Sequence, residues 1–188
     1  TQMIVKGHDF PNVTLVGILA ADISLHASDY RAGERTFELL TQAAGRAGRG
    51  DTEGEVVIQA YDTENFAIET AAKQDYVEYY NQEIMYRTLL SYPPVSNMLL
   101  VKFSSKYEEK LIKAVNTVKI QKEGVMVIGP SDAQLYKADD IYNKVIYYKT
   151  EDYEVLTQMK DKVEEFVKDN PDFKYVSVQF DFNPLNPY

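Results

Sequence analysis

The decapeptide Thr41-Gln42-Ala43-Ala44-Gly45-Arg46-Ala47-Gly48-Arg49-Gly50 gathers the residue types in this sequence best suited to holding a polyanion. Arg46 and Arg49 stand three residues apart at the end of an amphipathic segment, one turn beyond the amide of Gln42. Each guanidinium offers a planar fork of donors that matches phosphate oxygens, and neither loses its charge near neutral pH. Gly45, Gly48 and Gly50 let a bound group or a neighbouring domain approach the backbone. A plainer reading of the same residues is a helix end, with arginines near the last carbonyls and a glycine as the stop. The decapeptide alone leaves both readings open, because a short motif takes its meaning from context.

The elements around it supply that context. Residues 13–21 are a nearly continuous apolar run, the pattern of a strand buried on both faces of a parallel sheet. Residues 22–30 read as a surface loop. Residues 31–47 place Phe37, Leu40, Ala43 and Ala44 at helical spacing, and residues 54–61 form a second strand. Strand, helix and strand in this order make a crossover unit. Two strands and one helix bury little apolar surface, so residues 1–61 are expected either to lean on the residues that follow or to be the last part of a larger α/β lobe continuing upstream, and the abrupt start on Thr1 favours the second.

Residues 62–95 read as a helical connector broken near Gln74-Asp75, with Asp62, Thr63 and Asp75 as candidate N-caps. Its stripe of Tyr76, Tyr79, Tyr80, Ile84 and Leu89 suits packing better than base stacking, because the segment is acidic. Ser91-Tyr92-Pro93-Pro94 ends the helix. In residues 96–188 the pattern is strand 98–103, helix 108–120, short strand 125–128 stopped by Gly129-Pro130, a polar loop, strand 144–149, helix 153–167 and strand 175–182. The inward positions are Leu111, Ile112, Val115 and Val118 in the first helix, and Val155, Met159, Val163, Phe166 and Val167 in the second. The order β-α-β-β-α-β predicts a ferredoxin-like α+β domain after the α/β part.

Composition sets bounds on these readings. The chain has 188 residues, 45% apolar and 26% charged, with no cysteine and no run of the ~18 apolar residues that a spanning helix requires. Disulfides and thiolate metal sites are therefore unavailable within it, and a soluble cytoplasmic protein without a membrane partner is expected. His8 and His26 have no neighbours at metal-ligand spacing, so no metal site is expected in this chain. The net charge of −9 argues against a uniformly DNA-binding surface. Residues 1–61 hold 5 positive and 8 negative side chains, residues 62–96 hold 2 and 6, and residues 97–188 hold 13 and 15, so any anion grip must be local. Lys102, Lys106, Lys110, Lys113 and Lys119 alternate with acids and read as a solvated face.

Thr1, Gly7, Asp9 and Pro11 fall on the fixed positions of T-x5-G-x-D-x-P, and Gln42, Gly45, Arg46, Gly48 and Arg49 on those of Q-x-x-G-R-x-G-R. These resemble motifs V and VI of superfamily 2 helicases. QMIVKGHDFP, SDYRAGERTFELLTQAAGRAGR, GEVVIQAY and LLSYPP, in this order, resemble the C-terminal part of the primosomal replication-restart DNA helicase family. The resemblance covers most of the chain and is densest from Thr1 to Pro94.

It implies that residues 1–61 are the last part of a RecA-like helicase lobe, and that the full protein is an ATP-driven motor that restarts replication at stalled forks and assembles the primosome. Arg49 then matches the arginine finger, Arg46 a second contact to the γ-phosphate, and Gln42 a holder of the attacking water or the phosphate. Gly7, Asp9 and Gly45 match cofactor-binding positions; Thr1 and Gln2 match donors to DNA phosphates, with Lys6 in reach of a phosphate. ATP and Mg²⁺ would be held mainly by a first lobe, and zinc by a cysteine-rich module, both upstream of this chain. The partners implied are forked, single-stranded and duplex DNA, the single-stranded DNA-binding protein and primosome proteins. The chain by itself carries no phosphate loop or acidic box and is not expected to hydrolyse ATP. The alternatives are a non-catalytic module that docks a fork or a protein, or another superfamily 2 helicase. The family's arginine near Asn143-Lys144-Val145 and its D-x-D-P ending are replaced here, the latter by Asp181-Phe182-Asn183-Pro184.

Overall fold

A computed structural model describes residues 12–27, 29–48, 53–118 and 120–185. The chain divides into two compact units, Thr1–Tyr86 and Arg87–Tyr188.

In the first unit β1 (Leu15–Ile18) and β2 (Glu55–Ile58) pair in parallel, with α1 (Ala32–Ala44) between them in sequence. α2 (Phe66–Lys73) and α3 (Tyr76–Leu89) follow. The core joins Phe37 and Leu40 of α1 to Ala67, Ile68 and Ala71 of α2 and to Tyr79 of α3, with Ile18 and Ile58 packed against it. Tyr79 stacks on Phe37 with ring centroids 4.2 Å apart.

Three local expectations are corrected here. The strand at residues 13–21 shrinks to four residues and is covered on one face only, Leu15 being 59% exposed, because helices pack against the Ile18 and Ile58 side alone. The expected surface loop at 22–30 contains a 3-10 helix, Ala21–His26, in which Asp22 is buried. The tyrosine stripe splits: Tyr79 enters the core while Tyr76, Tyr80 and Leu89 stay exposed, since a single helix turns only one narrow face inward.

The break between α2 and α3 falls at Gln74, whose φ of 55° ends α2 in the left-handed region. Asn65 caps α2 by accepting from the Ala67 amide, and Asp75 accepts from the Glu78 amide in the first turn of α3. The stretch expected as a connector, residues 62–95, therefore holds two helices, and α2 lies within the first unit's core.

The second unit is a four-stranded sheet in the order β4-β5-β3-β6, all neighbours antiparallel. Its strands are β3 (Asn97–Ser105), β4 (Met126–Ala138), β5 (Ile141–Thr150) and β6 (Ser177–Phe182). α4 (Glu108–Val118) and α5 (Tyr153–Asp169) contribute Leu111, Val115, Leu156, Met159 and Val163 to one core with Leu99, Val101, Phe103, Ile146 and Tyr148.

The polar loop expected between residues 128 and 144 is instead the continuation of β4, which forms a long hairpin with β5. Bulges between Ile128 and Ser131, and again between Asp132 and Lys137, absorb the irregular residues without ending the strand. Gly129 sits at φ 105°, and a Cβ there would lie 2.8 Å from the Val145 carbonyl oxygen, so the bulge requires glycine. Ile112, expected inward, is 40% exposed, and Phe166 is 36% exposed; both lie at the margin of their helix's apolar stripe.

Candidate functional site

The residues best suited to bind an anion gather at the C-terminal turn of α1. Thr41 to Ala44 complete the helix, with Ala43 and Ala44 buried, so the next residues emerge at a fixed angle. The Gly45 amide donates to Thr41 O at 3.0 Å, the Arg46 amide to Ala43 O and the Ala47 amide to Ala44 O, each at 3.1 Å. The last carbonyls of α1 are thus satisfied by its own chain. Gln42 and Gly45 are exposed and Arg46 is half-buried. Gln42 lies in the last turn of α1, and Arg46 follows the Gly45 that ends the helix.

The segment is anchored beyond the helix. Gly48 adopts φ 70°, and its amide donates to Val13 O at 2.9 Å, immediately before β1. Gly54, just before β2, packs so closely that a Cβ would lie 2.2 Å from Gly48 N and 2.5 Å from the Ala47 carbonyl carbon. The N-terminal ends of both parallel strands therefore hold the turn that carries Arg46. Gly54 was not singled out by sequence reasoning; its one signal is a glycine directly preceding an apolar run.

Of the sequence-derived site residues, Gln42, Gly45 and Arg46 are described and lie together; Thr1, Gln2, Lys6, Gly7, Asp9 and Arg49 lie outside the described residues. One guanidinium and one amide form a donor set that fits phosphate oxygens. The guanidinium is no ligand for Mg²⁺, which takes oxygen donors and is held mainly through carboxylates and phosphates. Among the described residues no group of three or more His, Cys, Asp or Glu side chains could hold a metal ion, and no helix is long and apolar enough to cross a membrane.

Two arginines at the start of α1 are paired with carboxylates of the same unit. The Arg31 guanidinium contacts Glu34 at 3.0 Å and Arg35 pairs with Asp29. At the opposite ends of the strands, Asp22 accepts from the Tyr61 amide at 3.0 Å, tying the exit of β1 to the exit of β2. Sequence reasoning left Asp22 in a solvated loop, because a charged residue after an apolar run looks like a surface position.

Residues 88–185 match the family model for the primosomal protein N C-terminal domain. The chain is 40% identical to the replication restart protein PriA of Bacillus subtilis (strain 168), over 98% of this chain and 24% of that protein. It is 32% identical to the PriA of Borreliella burgdorferi, over 99% of this chain and 28% of that protein, and 35% identical to the PriA of Synechocystis over 76% of this chain. The chain thus spans about a quarter of the length of the first two relatives. With a matching C-terminal domain and similarity to PriA proteins along nearly its whole length, the chain belongs to the PriA replication restart family.

Proposed function

We propose that this chain supplies the end of the second motor lobe and the C-terminal domain of an ATP-dependent DNA helicase that restarts replication and assembles the primosome. The observation that carries the reading is the Gly48 to Val13 hydrogen bond, which ties the Q-x-x-G-R-x-G-R turn to the segment directly following the T-x5-G-x-D-x-P residues. The exposed, apolar outer face of β1 and β2, with Leu15, Leu19 and Val57 in the open, supports a RecA-like lobe that continues beyond these two strands. The strand order β4-β5-β3-β6 with two helices on one core supports a ferredoxin-like second unit.

In this reading bound ATP, with Mg²⁺, supplies the phosphoryl group and the free energy of the motor step. The Arg46 and Arg49 guanidiniums stabilise the charge developing at the γ-phosphoryl oxygens, Gln42 holds the attacking water or the phosphate, and Gly45 allows close approach. An arginine donated from a second lobe contributes on the order of 10³ to 10⁵ in rate. Asp9 and Gly7 line the nucleotide side, while Thr1, Gln2 and Lys6 grip DNA phosphates without reading sequence.

The test is made in a full-length PriA protein carrying this segment. Arg49→Ala, and separately Arg46→Ala, should abolish DNA-stimulated ATP hydrolysis while nucleotide binding, followed with a fluorescent analogue, is kept. Near-normal turnover in both variants removes the assignment. The 188-residue chain alone should hydrolyse no ATP.

A further inference from the structure

β6 lies at one side of the four-stranded sheet in the second unit. Its inner side pairs with β3, and among the described residues no strand pairs with its outer side. The register shows which backbone groups of β6 face outward. The Asn183 amide donates to the Met98 carbonyl at 2.7 Å, so these two residues are a hydrogen-bonded pair. Bonding alternates along an antiparallel ladder, so Asp181 and Gln179 bond to β3 opposite Leu100 and Lys102. Phe182, Phe180 and Val178 fall on the intervening positions and point their amides and carbonyls away from the sheet. A row of backbone groups presented in this way is a template for a further strand.

The same three residues turn their side chains toward the helices and pack, half-buried, against the core. Beside Val178 and Phe180 runs a groove of 380 Å³, floored by Val167 of α5 with Phe173 and Val176, and bordered by Lys168 and Lys174. Both lysines are exposed, and neither is in an ion pair among the described residues. The neighbouring acids are engaged: Glu164 pairs with Lys160, and Asp172 with Lys113 at 2.5 Å. An apolar groove with a positive border thus lies alongside an unpaired strand edge, in a chain of net charge −9.

From this geometry we infer that the outer edge of β6 is a docking site for an extended, internal segment of a partner protein, which adds antiparallel as a fifth strand. Backbone hydrogen bonds to Val178, Phe180 and Phe182 hold the segment, and the pleat puts its alternate side chains over the groove. Those side chains are apolar, to match Val167, Val178 and Phe180, and acidic residues following them match Lys168 and Lys174. The outward amides are spaced along a strand rather than converging on one point, so they suit a continuous backbone and not a single terminal carboxylate. A nucleic acid would satisfy the lysines but has no alternating row of N–H and C=O groups to offer the edge. This docking edge belongs to the second unit alone and is independent of the role proposed for Arg46.

The test is amide hydrogen exchange of the 188-residue chain, read by nuclear magnetic resonance without nucleotide. The probe is an acetylated, amidated peptide of alternating valine and threonine that ends in two aspartates. In the free chain the amides of Val178 and Phe180 should exchange about ten-fold or more faster than those of Gln179 and Asp181. The peptide should slow Val178 and Phe180 by about ten-fold or more. N-methylation of its valines, whose amides face β6 in antiparallel addition, should abolish that protection, whereas N-methylation of its threonines should leave it. Lys168→Glu with Lys174→Glu should weaken binding about five-fold, and a peptide ending in two lysines should recover it. The inference is overturned by Val178 and Phe180 amides already protected in the free chain, or by no added protection up to the peptide's solubility. It is equally overturned by protection that survives valine N-methylation, by binding that requires a free terminal carboxylate, or by equal protection from oligothymidylate. Because this assay contains no ATP, a negative result leaves the motor reading standing, and loss of the motor reading leaves this edge standing.

Discussion

The backbone amide of Gly48 donates to the carbonyl oxygen of Val13, closing the turn beyond α1 onto the entry of β1 at 2.9 Å. Because Gly48 takes a left-handed φ of 70° to do so, the two residues fix the direction in which the chain leaves Arg46. A site intended to hold a phosphate at a set distance needs this kind of backbone restraint, since an arginine on a loose loop loses its positioning to entropy. The same restraint depends on a residue outside both motifs.

That residue is Gly54, whose substitution by alanine would drive a Cβ to 2.2 Å from Gly48 N, closer than any backbone tolerates. Gly54→Ala should therefore shift the Ala47–Gly48 turn and cost about 1–3 kcal/mol of stability in the first unit. Equilibrium urea unfolding followed by circular dichroism reads the loss. A variant as stable as the parent would mean that the turn and the entry of β2 are not in contact.

At the other end of the strands, Asp22 receives the Tyr61 amide while buried at 4% exposure. Asp22→Ala removes that acceptor and leaves a backbone donor unpaired, which should cost about 1–3 kcal/mol. Asp22→Asn keeps an oxygen acceptor and should recover most of the loss. If alanine and asparagine are equally harmless in the same unfolding assay, the tie between β1 and β2 carries no weight.

The helices were legible because their apolar positions recur at helical spacing, as in Leu111, Val115 and Val118 of α4. The division between α2 and α3 was legible from Gln74-Asp75, where an αL residue and an N-cap sit side by side. β4 was not, because Gly129-Pro130 carries the local signature of a stop, and only pairing with β5 shows the strand resuming at Ser131. That Gln42, Gly45 and Arg46 stand together at the end of α1 could be read from their spacing in the sequence. The contacts that hold it, from Val13 and Gly54, could not, since close packing between segments leaves no periodic trace. The groove beside β6 was hidden for the same reason: Val167, Phe173 and Phe180 line it from separate segments that meet only in the folded unit.

Asn143 illustrates a polar residue that the hairpin needs. Buried at 7% exposure, it accepts from the Ser104 hydroxyl at 2.7 Å and donates to the carbonyls of Leu135 and Ile141 at 3.2 and 3.3 Å. Asn143→Ala strands those carbonyls and should destabilise the second unit by about 1–3 kcal/mol. Adding Ser104→Ala should then cost less than it does in the parent, because its partner is already gone. Strictly additive losses in a double-mutant cycle would show that the two side chains do not interact.

Alkaline pH separates two buried groups that neighbour each other on β5. Lys149 is 4% exposed; its ammonium donates to the Leu90 carbonyl at 3.0 Å and lies 3.5 Å from the centre of the Tyr92 ring. Burial pulls its pKa below the ordinary 10.5, so between the folded value and 10.5 the unfolded chain binds more protons, and stability rises with pH in that window. Tyr148 is fully buried, and burial raises its pKa above 10.0. Its contribution is present below 10.0 and is lost as pH climbs through the raised folded value, because the unfolded chain gives up that proton first. Lys149→Met keeps the apolar stem and removes a buried charge, so it should leave neutral stability within about 1 kcal/mol while abolishing the rise below 10.5. Tyr148→Phe should do the converse, retaining the rise and softening the fall, with part of the fall remaining because burial also raises Tyr147. Urea midpoints measured across this range decide the matter: if Lys149→Met follows the parent profile throughout, the lysine is solvated and its proposed place against Leu90 and Tyr92 is wrong.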